Sequence, residues 1–290
     1  MVRADDTIQE LREKVRLATI LGTLQSTQTD FRYLRSIWTK NTEEERLLGV
    51  SLTGIMDHPL LNDYTNTEEL TKYLDELKQV AIETNKEWAD KLGINQSTAI
   101  TCTKPSGTVS QLVDSASGIH PRFAPYYIRR VRGDVKDPLT MFLKEQNIPW
   151  EYDVMNKDNL VFSFPQKAPF GAKCVKDVGA LEQLTHWGIV NNAWCEHKPS
   201  ITIYYKDSEF LELGQHVYNA FDQISGISFL PYSDHKYPQA PYEEITEEQY
   251  EKLIAEMPRV DWEAFKSYEI EDNVTGTRDL ACSAGVCEIL

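Results

Sequence analysis

Stretches with helical periodicity alternate with short threonine-rich and β-branched runs along most of this chain, and that alternation limits the fold to the α/β class. Thr7 and Glu10 fit a capping box, and Ile8, Leu11, Val15, Ala18 and Leu21 recur behind them at helical spacing. Asn66 and Glu69 can cap a long helix with Leu70, Tyr73, Leu74, Leu77, Val80, Ala81 and Trp88 on its apolar face, stopped by Gly93. Further helices are expected over Val178 to Asn191, Glu209 to Ile224 and Thr246 to Met257. Strands are expected over Leu47 to Thr53, Ser97 to Thr103, Tyr126 to Arg132, Leu160 to Phe164, Ser200 to Tyr205 and Gly226 to Pro231. Strands separated by helices of this length predict a parallel sheet. From about Pro258 the periodicity fades, so the expected division is an α/β body over 1–257 and an acidic, mobile tail over 258–290.

Charge narrows the function classes. The net charge is −15, and Glu243 to Leu290 carries thirteen acids against four bases. Nonspecific nucleic-acid binding needs basic patches, so no nucleic-acid partner is expected. No apolar run is long enough to span a membrane, and MVRADDTIQELREK has no apolar core of a secretory signal. A cytoplasmic location is therefore expected, where the five cysteines stay mostly reduced and a disulfide is more often transient and catalytic than structural.

Four segments could carry chemistry. Lys104-Pro105-Ser106-Gly107-Thr108-Val109-Ser110 reads as a strand end, a turn of small residues and a helix start. Free helical N–H groups favour an anion there, Gly107 allows close backbone approach, and Ser106, Thr108 and Ser110 offer hydroxyls. The spacing is not that of a Walker A loop, and a plain capped turn explains the same residues. Cys282 and Cys287 enclose Ser-Ala-Gly-Val near the end, close enough to form a small disulfide loop. They suit electron shuttling, or form an inert pair; a zinc site would need two more ligands. Asn192-Ala-Trp-Cys195-Glu196-His197 looks like a Cys/His cluster, but its spacing fits no zinc motif and a packing cysteine accounts for it; Cys102 and Cys174 read the same way. Arg129, Arg130 and Arg132 lie on a strand, where one could reach a phosphate, although a structural ion pair is the simpler reading.

Beyond these local features, whole segments resemble a known family. LATILGTLQSTQTDFRYLR, EEERLLGVSLTGIMDHP, KPSGTVSQL, GIHPRFAPYYIRRVR, NNAWCEHKPSITIYY, FDQISGISFLPY, QAPYEEITEEQYEKL and LACSAGVCEI occur in this order. They are similar to the C-terminal half of class II, adenosylcobalamin-dependent ribonucleotide reductases of the ribonucleoside-triphosphate type. The resemblance implies the second half of a ten-stranded α/β barrel with a redox tail. It implies thiyl-radical reduction of ribonucleotides with adenosylcobalamin as cofactor. It places Pro105, Ser106, Gly107, Thr108, Val109 and Ser110 in a substrate-phosphate loop. It makes Cys282 and Cys287 the relay that re-reduces an active-site disulfide and is itself reduced by thioredoxin or a similar donor.

One departure matters. The family's radical cysteine lies in an Asn-x-Cys-x-Glu motif, which this sequence lacks, and the two active-site reducing cysteines are not recognisable. The resemblance therefore implies a split or fragmentary reductase whose partner is a complementary N-terminal half. Two other classes fit the residues: a non-catalytic nucleotide-binding module, and a stand-alone thiol oxidoreductase using Cys282 and Cys287.

Overall fold

The computed structural model describes residues 1–107, 109–232 and 237–268, and the chain divides into two compact units, 1–122 with 170–232 and 123–169 with 233–290. This division differs from the expected body over 1–257 with a tail behind it.

In the first unit, α1 (Ile8–Gln25) begins at the expected capping box, with Thr7 and Glu10 each bonding the other's backbone amide. Its buried face matches the expected one only over Ile8, Leu11 and Val15. Leu11, Val15, Thr19 and Thr23 face the core, while Leu21 is 68% exposed. The two threonines can be buried because their hydroxyls donate to the carbonyls of Val15 and Thr19, each at 2.8 Å. Thr23 Oγ1 also accepts from the Asn85 amide at 3.0 Å, which ties α1 to α3 (Thr67–Leu92). The long α3 starts and ends where its caps predict, at Asn66 and at a left-handed Gly93. Leu70, Leu74, Leu77 and Ala81 bury its apolar stripe. A ten-residue helix α2 (Ser36–Glu45) intervenes; it has no side-chain cap and no buried residue, so nothing in its sequence announces it.

Two parallel strand pairs complete this unit, as the α/β reading requires. Strand β1 (Val50–Ser51) pairs with β2 (Thr101–Cys102), and the amides of Leu48, Val50 and Leu52 donate to Ala99, Ile100 and Cys102. Both predicted runs thus lie side by side, although only their centres are regular strand. The short α4 (Val109–Leu112) follows β2. The α6 helix (Ala180–Ala193) packs on α3 and leads to β6 (Ile201–Tyr205). After α7 (Phe210–Asn219), β7 (Ile227–Pro231) pairs in parallel with β6.

The second unit departs from the parallel expectation. Its four strands are antiparallel, in the order β4-β5-β3-β8: β3 (Tyr126–Asp134), β4 (Trp150–Tyr152), β5 (Asn159–Lys167) and β8 (Tyr242–Glu244). The cause lies in a turn. Asp153 accepts from the amides of Met155 and Asn156, which closes a tight link between β4 and β5. So short a link makes a hairpin, whereas a parallel crossover needs a dozen residues or more. Helices α5 (Pro138–Glu145) and α8 (Glu247–Glu256) belong to this unit, the latter with the expected Thr246 cap. The fully buried Phe142 ring meets Trp262, Phe265 and Tyr268, so residues through 268 pack rather than trail. Cys282 and Cys287 lie outside the described residues. Among the described residues, no helix is long and apolar enough to cross a membrane.

Candidate phosphate loop and its anchors

The segment 104–118 leaves β2, forms α4 and returns beside β1. Its outward leg is held at Lys104, whose amide donates to Ser51 Oγ at 3.1 Å. Ser106 is the hub of the turn. Its amide donates to Ser117 Oγ at 2.7 Å, its hydroxyl accepts from the Ser110 amide at 2.9 Å, and its carbonyl accepts from Ser110 Oγ at 2.8 Å. Pro105 and Val109 are exposed and Gly107 is partly so. Among the described residues, the amides of Gly107 and Val109 have no hydrogen-bond partner.

Ser110 is 0% exposed and its hydroxyl donates to the Ser106 carbonyl, which shapes the turn. Thr108 lies outside the described residues.

The return leg is locked by an ion pair with no local sequence signal. Arg122 Nε and Nη2 donate to Asp57 Oδ1 and Oδ2 at 2.8 and 2.9 Å, and both side chains are 3% exposed. Asp57 Oδ2 also accepts from the Ala116 amide at 2.8 Å. Arg122 further reaches the Asp114 carboxylate and carbonyl, and Arg3 donates to that same carbonyl. Asp114 takes a left-handed φ of 46° to make this bend. Gly118, at φ 56°, passes so close to the Lys104 carbonyl that a Cβ would sit 3.1 Å from its oxygen.

The other sequence candidates resolve into structural roles. In Asn192 to His197, Glu196 accepts from the amides of Ile100 and Thr101, Trp194 Nε1 donates to the Cys102 carbonyl, and His197 reaches the Leu48 carbonyl. The motif clamps β1 and β2 and holds no catalytic pair. Cys102 and Cys174 are buried free thiols, and the Cys195 thiol lies 3.5 Å from Thr103 Oγ1. Burial pushes the Cys195 pKa up to about 11. At pH 8 roughly one thiol in a thousand is then thiolate, so Cys195 should resist iodoacetamide under conditions that alkylate an ordinary cysteine within minutes. Peptide mapping by mass spectrometry checks this; prompt labelling of Cys195 in the folded chain contradicts the buried-thiol reading. The arginine run is also structural. Arg130 pairs with Glu243 at 2.5 Å, Arg132 pairs with Asp153 at 2.7 Å, and Arg129 lies over the Tyr242 ring.

Four of the six histidines are committed to backbone groups: His58 to Asp6, His120 to Ser117 and Thr202, His186 to Leu61 and His197 to Leu48. Among the described residues, no group of three His, Cys, Asp or Glu side chains could hold a metal ion.

The structure is similar to a B12-dependent, class II ribonucleotide reductase, with a TM-score of 0.76 and 26% identity over 91% of this chain and 40% of that one. More specifically, the sequence is similar to adenosylcobalamin-dependent ribonucleoside-triphosphate reductases. The Lactobacillus acidophilus protein is 29% identical over 288 residues, and the Lactobacillus delbrueckii subsp. bulgaricus protein is 28% identical over 298. The alignments cover 90% of this chain but 38% of each relative. No family model matches the chain.

Proposed function

We propose that this chain is the C-terminal part of a ribonucleotide reductase that reduces ribonucleoside triphosphates to deoxyribonucleotides once a complementary N-terminal half is present. The observation that carries this reading is the continuous similarity to triphosphate reductases, which spans nine-tenths of this chain but under two-fifths of theirs. In the complete enzyme, adenosylcobalamin supplies the radical. Four described histidines are bonded to backbone groups, and a fifth, His216, is exposed on α7.

This chain's own contributions are two. The first is phosphate binding by Pro105 to Val109, with the Gly107 and Val109 amides as donors and the helix start behind them. Gly107→Glu puts bulk and negative charge at that point. In the reconstituted enzyme it should weaken triphosphate binding by about a hundredfold or more, the order expected when charge-assisted hydrogen bonds are replaced by repulsion. Equilibrium dialysis with labelled nucleotide measures this, and unchanged affinity in a folded variant removes the loop from the site.

The second contribution is electron relay. Cys282 and Cys287 attack the active-site disulfide by thiol–disulfide exchange, become a disulfide themselves, and are restored by the two thiols of thioredoxin or a similar donor. A Cys282→Ser, Cys287→Ser double variant, assembled with a pre-reduced partner, should complete about one turnover and stop when thioredoxin is the only reductant. A small dithiol that enters the site directly should restore turnover. Counting product per enzyme tests the assignment, and unimpaired multiple turnover with thioredoxin alone contradicts it.

The partner requirement has support from the first unit. Among the described residues, β1 pairs with β2 alone and β6 with β7 alone, which leaves edges of each two-stranded sheet unpaired. Beside β1 runs a groove lined by Leu21, Gly22, Arg46, Leu47, Gly49 and Ser51. Completion of a ten-stranded α/β barrel by strands from the complementary half would satisfy those edges and cover Leu21 and Leu47.

A further inference from the structure

Four hydrogen bonds run in series from β6 to α4. The Thr202 amide donates to His120 Nε2 at 3.0 Å. Nδ1 of the same ring lies 3.0 Å from the Ser117 carbonyl. Ser117 Oγ accepts from the Ser106 amide at 2.7 Å, and Ser106 Oγ accepts from the Ser110 amide at 2.9 Å. An amide N–H can only donate and a carbonyl can only accept. One neutral tautomer of His120 therefore satisfies both ends, with the proton on Nδ1. Burial of the ring pushes its pKa below the usual histidine range, against the opposing pull of the Ser117 carbonyl, which favours that neutral form.

We propose that His120 is a positioning residue that pins Ser106 to the start of β6 and so sets where the neighbouring Gly107 amide meets a phosphate. His120 touches no ligand; it acts through Ser117. The consequence for binding rests on the phosphate-loop reading above, whereas the pinning itself does not.

A packing role and a positioning role make different demands on the side chain. Glutamine can donate to Ser117 and accept from Thr202, as the imidazole does; leucine fills space and can do neither. The experiment compares His120→Gln and His120→Leu in the full chain by ¹⁵N NMR, with two readouts. Without ligand, amide hydrogen exchange at Ser106 reports the pin, with Leu77 in α3 as a control for the fold. With inorganic tripolyphosphate as the probe, the shift of the Gly107 amide reports affinity.

The glutamine variant should keep Ser106 protection and an affinity within about threefold of the unaltered chain. The leucine variant should exchange Ser106 at least about tenfold faster and bind at least about tenfold more weakly, with Leu77 still protected, as expected for the loss of hydrogen bonds at one pin. Wild-type Ser106 protection in the leucine variant overturns the proposal. So does a glutamine variant as loose as leucine, because hydrogen bonding would then not be what holds the turn. If the unaltered chain shows no Gly107 response to tripolyphosphate, the phosphate reading fails, and the Ser106 exchange rates still decide whether His120 pins the turn.

Discussion

Asp57→Asn should cost about 3–5 kcal/mol of folding stability, the usual consequence of removing one partner from a buried ion pair. The Arg122 guanidinium is 3% exposed and donates two hydrogen bonds to the Asp57 carboxylate. Asparagine keeps one oxygen acceptor and loses the charge, which removes the buried counter-charge from a cation in a poorly solvated place. Asp114 cannot take over, because its side chain is 59% exposed and its pull on Arg122 is screened by water. The Ala116 amide, which also donates to Asp57, would share a weakened acceptor. Whole domains are typically stable by only about 5–15 kcal/mol, so the loss is a large share. Urea unfolding followed by circular dichroism measures it. A change under about 1 kcal/mol would mean that the pair is not holding the return leg of the loop.

How much of this was legible in the sequence depends on how local each signal is. Helix α3 was legible from end to end because Asn66, the Leu70-Leu74-Leu77-Ala81 stripe and Gly93 all act within one helix. The start of α1 was legible for the same reason, through Thr7 and Glu10. Its buried face was legible through Ile8, Leu11 and Val15 but not beyond them. Hydropathy favours Leu21 over Thr19 and Thr23, and only the hydroxyl bonds back along the helix make burial of the threonines cheap. The parallel pairs of the first unit follow from helices between strands, while the antiparallel sheet of the second turns on Asp153 closing a hairpin.

The candidate site shows the same divide. The residues from Lys104 to Ser110 read as a turn with spare amides, and family resemblance gave that turn a ligand. The roles of Asp57, His120 and Arg122 had no signature. Arg122 lies 65 residues from Asp57, and His120 lies 82 from Thr202. All are ordinary residues until the fold brings them together. Ser110 is similar: its sequence shows a hydroxyl in the loop, and only the fold shows that hydroxyl donating to the carbonyl of Ser106.

The most direct test is turnover with and without the proposed complementary half. The sequence lacks the Asn-x-Cys-x-Glu motif, and the aligned relatives are more than twice as long as the matched region. The chain alone, given adenosylcobalamin, a ribonucleoside triphosphate and reduced thioredoxin, should form no deoxyribonucleotide. Addition of a complementary chain carrying that motif should give multiple turnovers, and the gain should disappear when the added chain's cysteine in the motif is replaced by serine. Deoxyribonucleotide formed by this chain by itself, or none formed by a stable complex of the two, contradicts the central claim.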